Sequence, residues 1–120
     1  MAQCLSIENT TVPRNVVILM PPSQAWNSFR FIFHGTADSS IAYSTAGTVY
    51  ASMAPPKYFV TLLGAGHAPP YEDTPDPHDG VVIAATLDFW NTYLKAQDAA
   101  RAHLLADANH PPLSSIRSAP

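Results

Sequence analysis

The sequence predicts an α/β fold in which parallel strands are joined by a crossover helix and followed by a long C-terminal helix. Two runs rich in aromatic and β-branched residues predict strands at 29–34 (FRFIFH) and 57–63 (KYFVTLL). Between them a helix is predicted over 41–54, because apolar residues recur at helical spacing before a Pro-Pro pair. These residues are Ala42, Ala46, Val49 and Met53. Two strands joined by a helix are expected to run parallel.

The C-terminal part is predicted to be helical. Asp79 is a candidate N-cap for a long helix that begins near Val81, and a second helical segment is expected over 98–107. The apolar face of the long helix, which should meet the sheet, comprises Ile83, Leu87, Trp90 and Leu94. Residues 110–120 are expected to form a disordered tail. Upstream of the first strand, residues 15–20 (NVVILM) read as a short buried strand.

Composition excludes several classes of function. Only 12% of the residues are charged, against roughly a quarter in an average soluble domain, which favours a unit that packs against further protein. The six Lys and Arg residues are scattered and the net charge is −3, so nucleic-acid binding is not expected. No apolar run approaches the ~18 residues of a membrane span. The N-terminus lacks the features of a signal peptide, so the chain as written is expected to be cytoplasmic.

Two residues with catalytic potential follow the two predicted strands. Asp38 lies four residues beyond the first strand and His67 four beyond the second, a separation of 67 − 38 = 29 residues. The carboxyl ends of neighbouring parallel strands meet at one edge of a sheet, where sites commonly form. We therefore expect the carboxylate to hydrogen-bond the imidazole, so that it fixes the tautomer of the ring and stabilises its protonated form.

These residues lie in motifs that resemble the C-terminal part of an α/β-hydrolase. The motifs are HGTAD (34–38) and, after an apolar strand, GAGH (64–67), in the order in which the acid and the histidine of that family occur. The resemblance covers roughly residues 29–109 and is closest to dienelactone hydrolase-like and chlorophyllase-like esterases. KYFVTLLGAGHAPPY and LDFWNTYLKAQDAARAHLLADAN are similar to actinobacterial members of that group.

The resemblance implies a partial α/β-hydrolase fold and a serine hydrolase that acts on small-molecule carboxylic esters. Asp38 would be the catalytic acid and His67 the general base, and Pro69 and Tyr71 of the following loop would line the substrate entrance. Gly35 would allow a tight turn after the first strand. No cofactor or metal is implied.

The backbone freedom of two further glycines, Gly64 and Gly66, would let the loop present His67 to the site.

The sequence departs from the family pattern in several places. No G-x-S-x-G motif occurs, the upstream oxyanion-hole loop is missing, and residues 1–28 match the family poorly. Related sequences often carry glycine where this chain has Ala96. The chain is therefore expected to be a C-terminal fragment that lacks the nucleophile. The alternative is a non-catalytic interaction protein or degenerate remnant, and in either case the exposed sheet edge should favour self-association.

Other polar residues receive structural interpretations. His34 is expected to be a packing histidine, and the acidic loop 72–79 fits no known metal motif and is expected to be a solvated loop. His103 and His110 are expected to be solvated. Three serines lie close to Asp38 but on no recognisable nucleophile motif, so none is favoured as the nucleophile. They are Ser39, Ser40 and Ser44.

Overall fold

The computed structural model describes residues 29–119, and these form three strands and three α-helices in a mixed α/β arrangement. The strands are β1 (Arg30–Gly35), β2 (Lys57–Leu62) and β3 (Ser114–Ala119). The helices are α1 (Tyr43–Ser52), α2 (Asp79–Tyr93) and α3 (Asp98–Asp107), with a short 3₁₀ turn at Pro69–Tyr71. The predicted strand at 15–20 and the segment 1–28 lie outside the described residues.

The sheet has the order β1-β2-β3, with β2 in the centre. β1 and β2 are parallel, in a register that runs from Arg30 opposite Lys57 to Gly35 opposite Leu62. The prediction of parallel strands joined by a helix is therefore confirmed. Both strands end at the same edge of the sheet, and this places the loops that follow them side by side.

The two faces of β2 are covered by different helices. Tyr58, Val60 and Leu62 are buried in one cluster with α2 and α3. On the opposite face, the ring of Phe59 packs against the α1 residue Tyr43, and Thr61 shares a 2.6 Å hydrogen bond with the same tyrosine. Because side chains alternate along a strand, a run that is apolar at nearly every position fits a strand covered on both faces.

Helix α2 buries a different face from the one the sequence predicts. Phe89 is 3% exposed and belongs to the core, whereas its neighbour Trp90 is 47% exposed. Ile83, Leu87 and Leu94 are also exposed, so the prediction that this stripe meets the sheet is wrong. The residues that contact the core are Val81, Ala85 and Phe89. The Phe89 ring stacks on Phe31 of β1 and meets Tyr58 of β2 edge-on, so this face of the helix packs against the sheet and the bulkier stripe lies outward.

The predicted disordered tail is also corrected, since residues 114–119 form β3. This strand pairs antiparallel with β2 along its whole length. Ser114 is fully buried, and its hydroxyl donates a 2.8 Å hydrogen bond to the carbonyl of Ala108. The Arg117 guanidinium lies 4.7 Å from the centre of the Phe59 ring. A polar sequence forms a strand here because β2 offers unpaired backbone groups along this edge.

Smaller details of the helices also depart from expectation. Asp79 is the first residue of α2 rather than its N-cap, and its carboxylate accepts a 3.0 Å hydrogen bond from the backbone of Asp76. Ala96, which follows α2, adopts φ +52°. That is the left-handed region in which glycine is favoured. The second helical segment, 98–107, is confirmed in full as α3.

Candidate active site at the carboxyl ends of β1 and β2

The loops that follow β1 and β2 are hydrogen-bonded to each other. The backbone of Thr36 donates to the carbonyl of Leu62 at 3.0 Å, which extends the strand ladder by one residue. Ala37 donates to the carbonyl of Ala65 at 3.0 Å, and Gly64 donates to the Thr36 hydroxyl at 2.7 Å. These three bonds bring the segment that carries Asp38 against the segment that carries His67.

Close approach of the two loops explains one glycine. A Cβ on Gly35 would lie 2.2 Å from the carbonyl oxygen of Ala65, so only glycine fits there. Gly64 adopts φ +76°, a left-handed conformation that lets the chain turn after β2. Gly66, expected to supply backbone freedom, has no left-handed φ, and a Cβ there would meet only the Pro69 ring at an ordinary 3.7 Å, so glycine is not required at this position.

Asp38 is held by hydrogen bonds to both of its carboxylate oxygens. Oδ1 accepts from the backbone N–H groups of Ser40 at 2.8 Å and Ile41 at 2.9 Å, and Oδ2 accepts from His67. The side chain is only 4% exposed. The hydrogen bond from Ile41, aided by those from His67 and Ser40, lowers the pKa of Asp38 to about 2 against the opposing effect of desolvation. Asp38 is therefore ionised at neutral pH.

His67 points one ring nitrogen at Asp38 and is otherwise open. Its Nδ1 lies 2.8 Å from Asp38 Oδ2, and its side chain is 50% exposed. The prediction that these two side chains come within hydrogen-bonding distance is confirmed. With the Nδ1 hydrogen donated to the carboxylate, the lone pair of the neutral ring lies on Nε2. No group within residues 29–119 hydrogen-bonds to that nitrogen, so it is free to accept a proton.

His34 lies behind the pair. Its Nε2 donates to the carbonyl of Ile41 at 3.0 Å and lies 3.4 Å from Asp38 Oδ2. The ring packs edge-on against Tyr43. These contacts confirm a packing histidine, but one that also borders the Asp38 carboxylate, which the sequence did not indicate.

The loop residues expected at the substrate entrance lie at the same edge of the sheet. Pro69 and Tyr71 begin and end the 3₁₀ turn that follows His67, and both are exposed. The Tyr71 ring contacts Phe33 edge-on. Desolvation and the nearby charge of Asp38 raise the pKa of Tyr71 above its ordinary value. Both residues are placed where a substrate could touch them, and substrate contact remains a prediction.

A second Asp–His pair, which the sequence did not reveal, lies farther along the same loop. His78 Nδ1 lies 2.6 Å from Asp76 Oδ1, and its Nε2 lies 2.8 Å from the carbonyl oxygen of Leu63. The His78 side chain is 7% exposed, so this end of the acidic loop is buried rather than solvated. The only hint in the sequence is the position of an Asp-Pro-His string directly before a helix.

Neither a nucleophile nor a metal site is evident in this part of the chain. Ser39, Ser40 and Ser44 are all exposed, and no serine hydroxyl within residues 29–119 bonds to His67. The same residues contain no cluster of three or more side chains suited to hold a metal ion. No helix in the described part of the chain is long and apolar enough to cross a bilayer. Comparisons with protein-family models, with curated proteins and with solved structures return no match.

Proposed function

We propose that this chain carries the acid–base part of a serine hydrolase that acts on small-molecule carboxylic esters. The observation that supports it is the Asp38–His67 hydrogen bond at the carboxyl ends of adjacent parallel strands, with Nε2 of His67 open to solvent. The strand–helix–strand arrangement agrees with a partial α/β-hydrolase fold. The other histidine beside Asp38 is His34, which is only 11% exposed and uses its Nε2 on the Ile41 carbonyl, so His67 is better placed to meet a substrate.

The geometry suits a definite division of roles. A serine supplied by polypeptide other than the described residues would attack the ester carbonyl, and His67 Nε2 would take the serine proton. The same nitrogen would then return the proton to the leaving alkoxide. Asp38 would stay ionised throughout, because its pKa is about 2, and would stabilise the imidazolium by charge. Pro69 and Tyr71 would border the bound ester.

The proposed role of Asp38 can be tested without measuring ester hydrolysis, through the tautomer of the His67 ring. In ¹⁵N-histidine-labelled protein, the neutral His67 ring should carry its proton on Nδ1. Asp38→Asn keeps the shape of the side chain, but its amide can rotate to present NH₂ to the ring and favour the other tautomer. Nitrogen chemical shifts of His67 report the change. An Nε2-protonated ring in the unmodified chain would contradict the proposed base.

The missing nucleophile is tested with a fluorophosphonate probe. The chain itself should show no labelling and negligible ester turnover. A longer product that adds an upstream serine on a G-x-S-x-G motif should be labelled at that serine, and His67→Ala should abolish the labelling. If the longer product is still labelled after His67→Ala, the proposal is overturned. Labelling of a serine within residues 29–119 would place the nucleophile in this chain, with Ser39, Ser40 and Ser44 the first to examine.

A second role, as a self-associating protein, is favoured by a difference between the two sheet edges. Within residues 29–119, β1 is paired on one side only. Beside it lies an open apolar groove of about 300 Å³, lined chiefly by Ile32, Ile41, Val49 and Met53. The opposite edge, β3, is polar (SSIRSA) and carries Arg117. Charged and polar residues protect an edge from pairing, and β1 (RFIFHG) has only Arg30 and His34 for this purpose. We propose that a second copy of this chain pairs with β1.

Light scattering at tens of micromolar tests this pairing. The unmodified chain should associate, and Val49→Lys should shift it toward monomer by placing a charge in the groove. Ser118→Lys, on the exposed part of β3, is the matched control and should leave association unchanged. A compact monomer for the unmodified chain would contradict the proposal.

A further inference from the structure

The His67 loop, defined as residues 63–78, is closed at its base by a side chain. Leu63 directly follows β2 and His78 directly precedes α2, and the two are fifteen residues apart. The 2.8 Å contact between His78 Nε2 and the Leu63 carbonyl joins the two ends of the loop. His67 lies in the segment between them.

The closing histidine is itself held by contacts with Asp76. Its Nδ1 faces Asp76 Oδ1 at 2.6 Å, and the same oxygen accepts the backbone N–H of His78 at 2.8 Å. Asp76 in turn donates its backbone N–H to the Asp79 carboxylate, at the first turn of α2. Both ring nitrogens face acceptor oxygens, at 2.6 and 2.8 Å, so neither is open to a reacting group. The ring therefore cannot serve as a base in this arrangement.

The rest of the loop has few other attachments. Its first arm is hydrogen-bonded to the Asp38 loop through Ala65 and Gly64. Its middle is anchored by the buried Pro70 and by the contact of Tyr71 with Phe33. Its last part, residues 72–75, is exposed. A loop whose ends are joined samples fewer conformations than an open one, so closure at Leu63 restricts the arm that carries His67.

We propose that His78 is a positioning residue that closes the His67 loop and thereby keeps His67 against Asp38. Any consequence for ester hydrolysis rests on the proposed function above, whereas the positional claim does not. His78 acts through the Leu63 carbonyl, three residues before the glycine that precedes His67, and it touches neither Asp38 nor a substrate.

The test is a histidine NMR and hydrogen-exchange experiment on the full chain. His78→Phe preserves an aromatic ring but cannot bond to Leu63. The His67 ring should then lose its single Nδ1-protonated form and show averaged tautomers, and the amides of Ala65 and Tyr71 should exchange at least tenfold faster. Amides of β2 should change less than twofold. His78→Gln, which keeps one donor within reach of the carbonyl, should restore part of the protection.

His110→Phe is the matched control, because His110 is exposed and its side chain makes no hydrogen bond within residues 29–119. An unchanged His67 ring and unchanged loop exchange in His78→Phe would overturn the proposal. If that variant does not fold, hydrogen exchange in the unmodified chain tests the proposal instead. The Ala65 and Tyr71 amides should then open together with the His78 ring hydrogens, and loop opening while those hydrogens stay protected would overturn it. Failure here leaves the probe-labelling result untouched, so the two proposals fail separately.

Discussion

Residues 29–119 contain two Asp–His pairs whose histidines lie on one loop, and the pairs differ in sequence separation and in the burial of the ring. Asp38 and His67 are 29 residues apart and come from two loops, and the ring of His67 is half-exposed. Asp76 and His78 are two residues apart, and the His78 ring is buried with both nitrogens occupied. The nitrogen-to-oxygen distances, 2.8 and 2.6 Å, do not distinguish them.

The difference shows which feature of such a pair has chemical consequences. A histidine can act as a base only through a nitrogen that has a lone pair and can reach a reacting group. His67 retains such a nitrogen, whereas His78 uses both nitrogens to hold backbone and carboxylate in place. The first pair is suited to proton transfer and the second to structure, although both carboxylates have lowered pKa values, chiefly through backbone hydrogen bonds.

The largest effect should come from a change that breaks the long-range pair and spares the local one. Gly35→Ala places a Cβ 2.2 Å from the Ala65 oxygen and must force the two loops apart. We expect it to lower the free energy of unfolding by about 3 kcal/mol or more. In histidine NMR, the His67 signal should change while that of His78 stays as it is. Urea unfolding measures the first effect.

Gly80→Ala is the control for that substitution. Gly80 lies in the first turn of α2, near the local pair, and a Cβ there meets nothing within 4 Å. It should be neutral or stabilise the chain by up to about 1 kcal/mol. Equal destabilisation by the two substitutions would show that loop contact at Gly35 is not what joins Asp38 to His67.

The next largest effect should be a difference in the free energy of unfolding between substitutions of the two histidines. His78→Gln removes a buried ring and keeps at most one of its two polar contacts, so it should lower the free energy of unfolding by about 1–3 kcal/mol. His67→Gln removes a half-exposed ring and should cost no more than about 0.5 kcal/mol. Chemical denaturation of the two variants gives the comparison. A larger loss at His67 would reverse the roles assigned to the pairs.

A smaller effect, confined to acid, concerns the carboxylates. The folded-state pKa of Asp38, about 2, lies below its ordinary value of 3.8, so the unfolded chain binds more protons between these values. The contribution of this group is present above pH ~4 and is lost as the pH falls toward 2. Thermal unfolding across this range should show a steeper loss of stability for the unmodified chain than for Asp38→Asn. Parallel curves would contradict the lowered pKa.

The smallest effect should come from a position that belongs to neither pair. Ala96 has φ +52°, so Ala96→Gly should relieve backbone strain and raise stability by about 0.5–1 kcal/mol. The NMR signals of His67 and His78 should not change. A shift in either histidine signal would show that both pairs respond to any change in stability. The signal changes expected for the other substitutions would then not be specific to those positions.

The sequence alone determined most of the helices and strands and the location of the long-range pair. Apolar runs and helical spacing are local properties, and they predicted β1, β2, α1 and α3 to within two residues at each end. The rule that neighbouring parallel strands end at one edge of a sheet then predicted that Asp38 lies close to His67, without any knowledge of side-chain packing. Role assignments beyond that geometry came from a family resemblance and remain proposals.

Only the tertiary structure decided which side chains are buried and what holds the His67 loop. Phe89 and Trp90 are neighbours of similar hydrophobicity, and the rotation of α2 about its axis decides that Phe89 meets the rings of Phe31 and Tyr58 while Trp90 is half-exposed. Residues 114–119 are too polar to predict a strand, yet they pair because β2 leaves backbone groups without partners on that side. His78 becomes a closing residue only when the fold brings the Leu63 carbonyl, fifteen residues away, within 2.8 Å of its ring. Burial and long-range hydrogen bonding depend on where distant segments meet, and no local pattern in the chain records that.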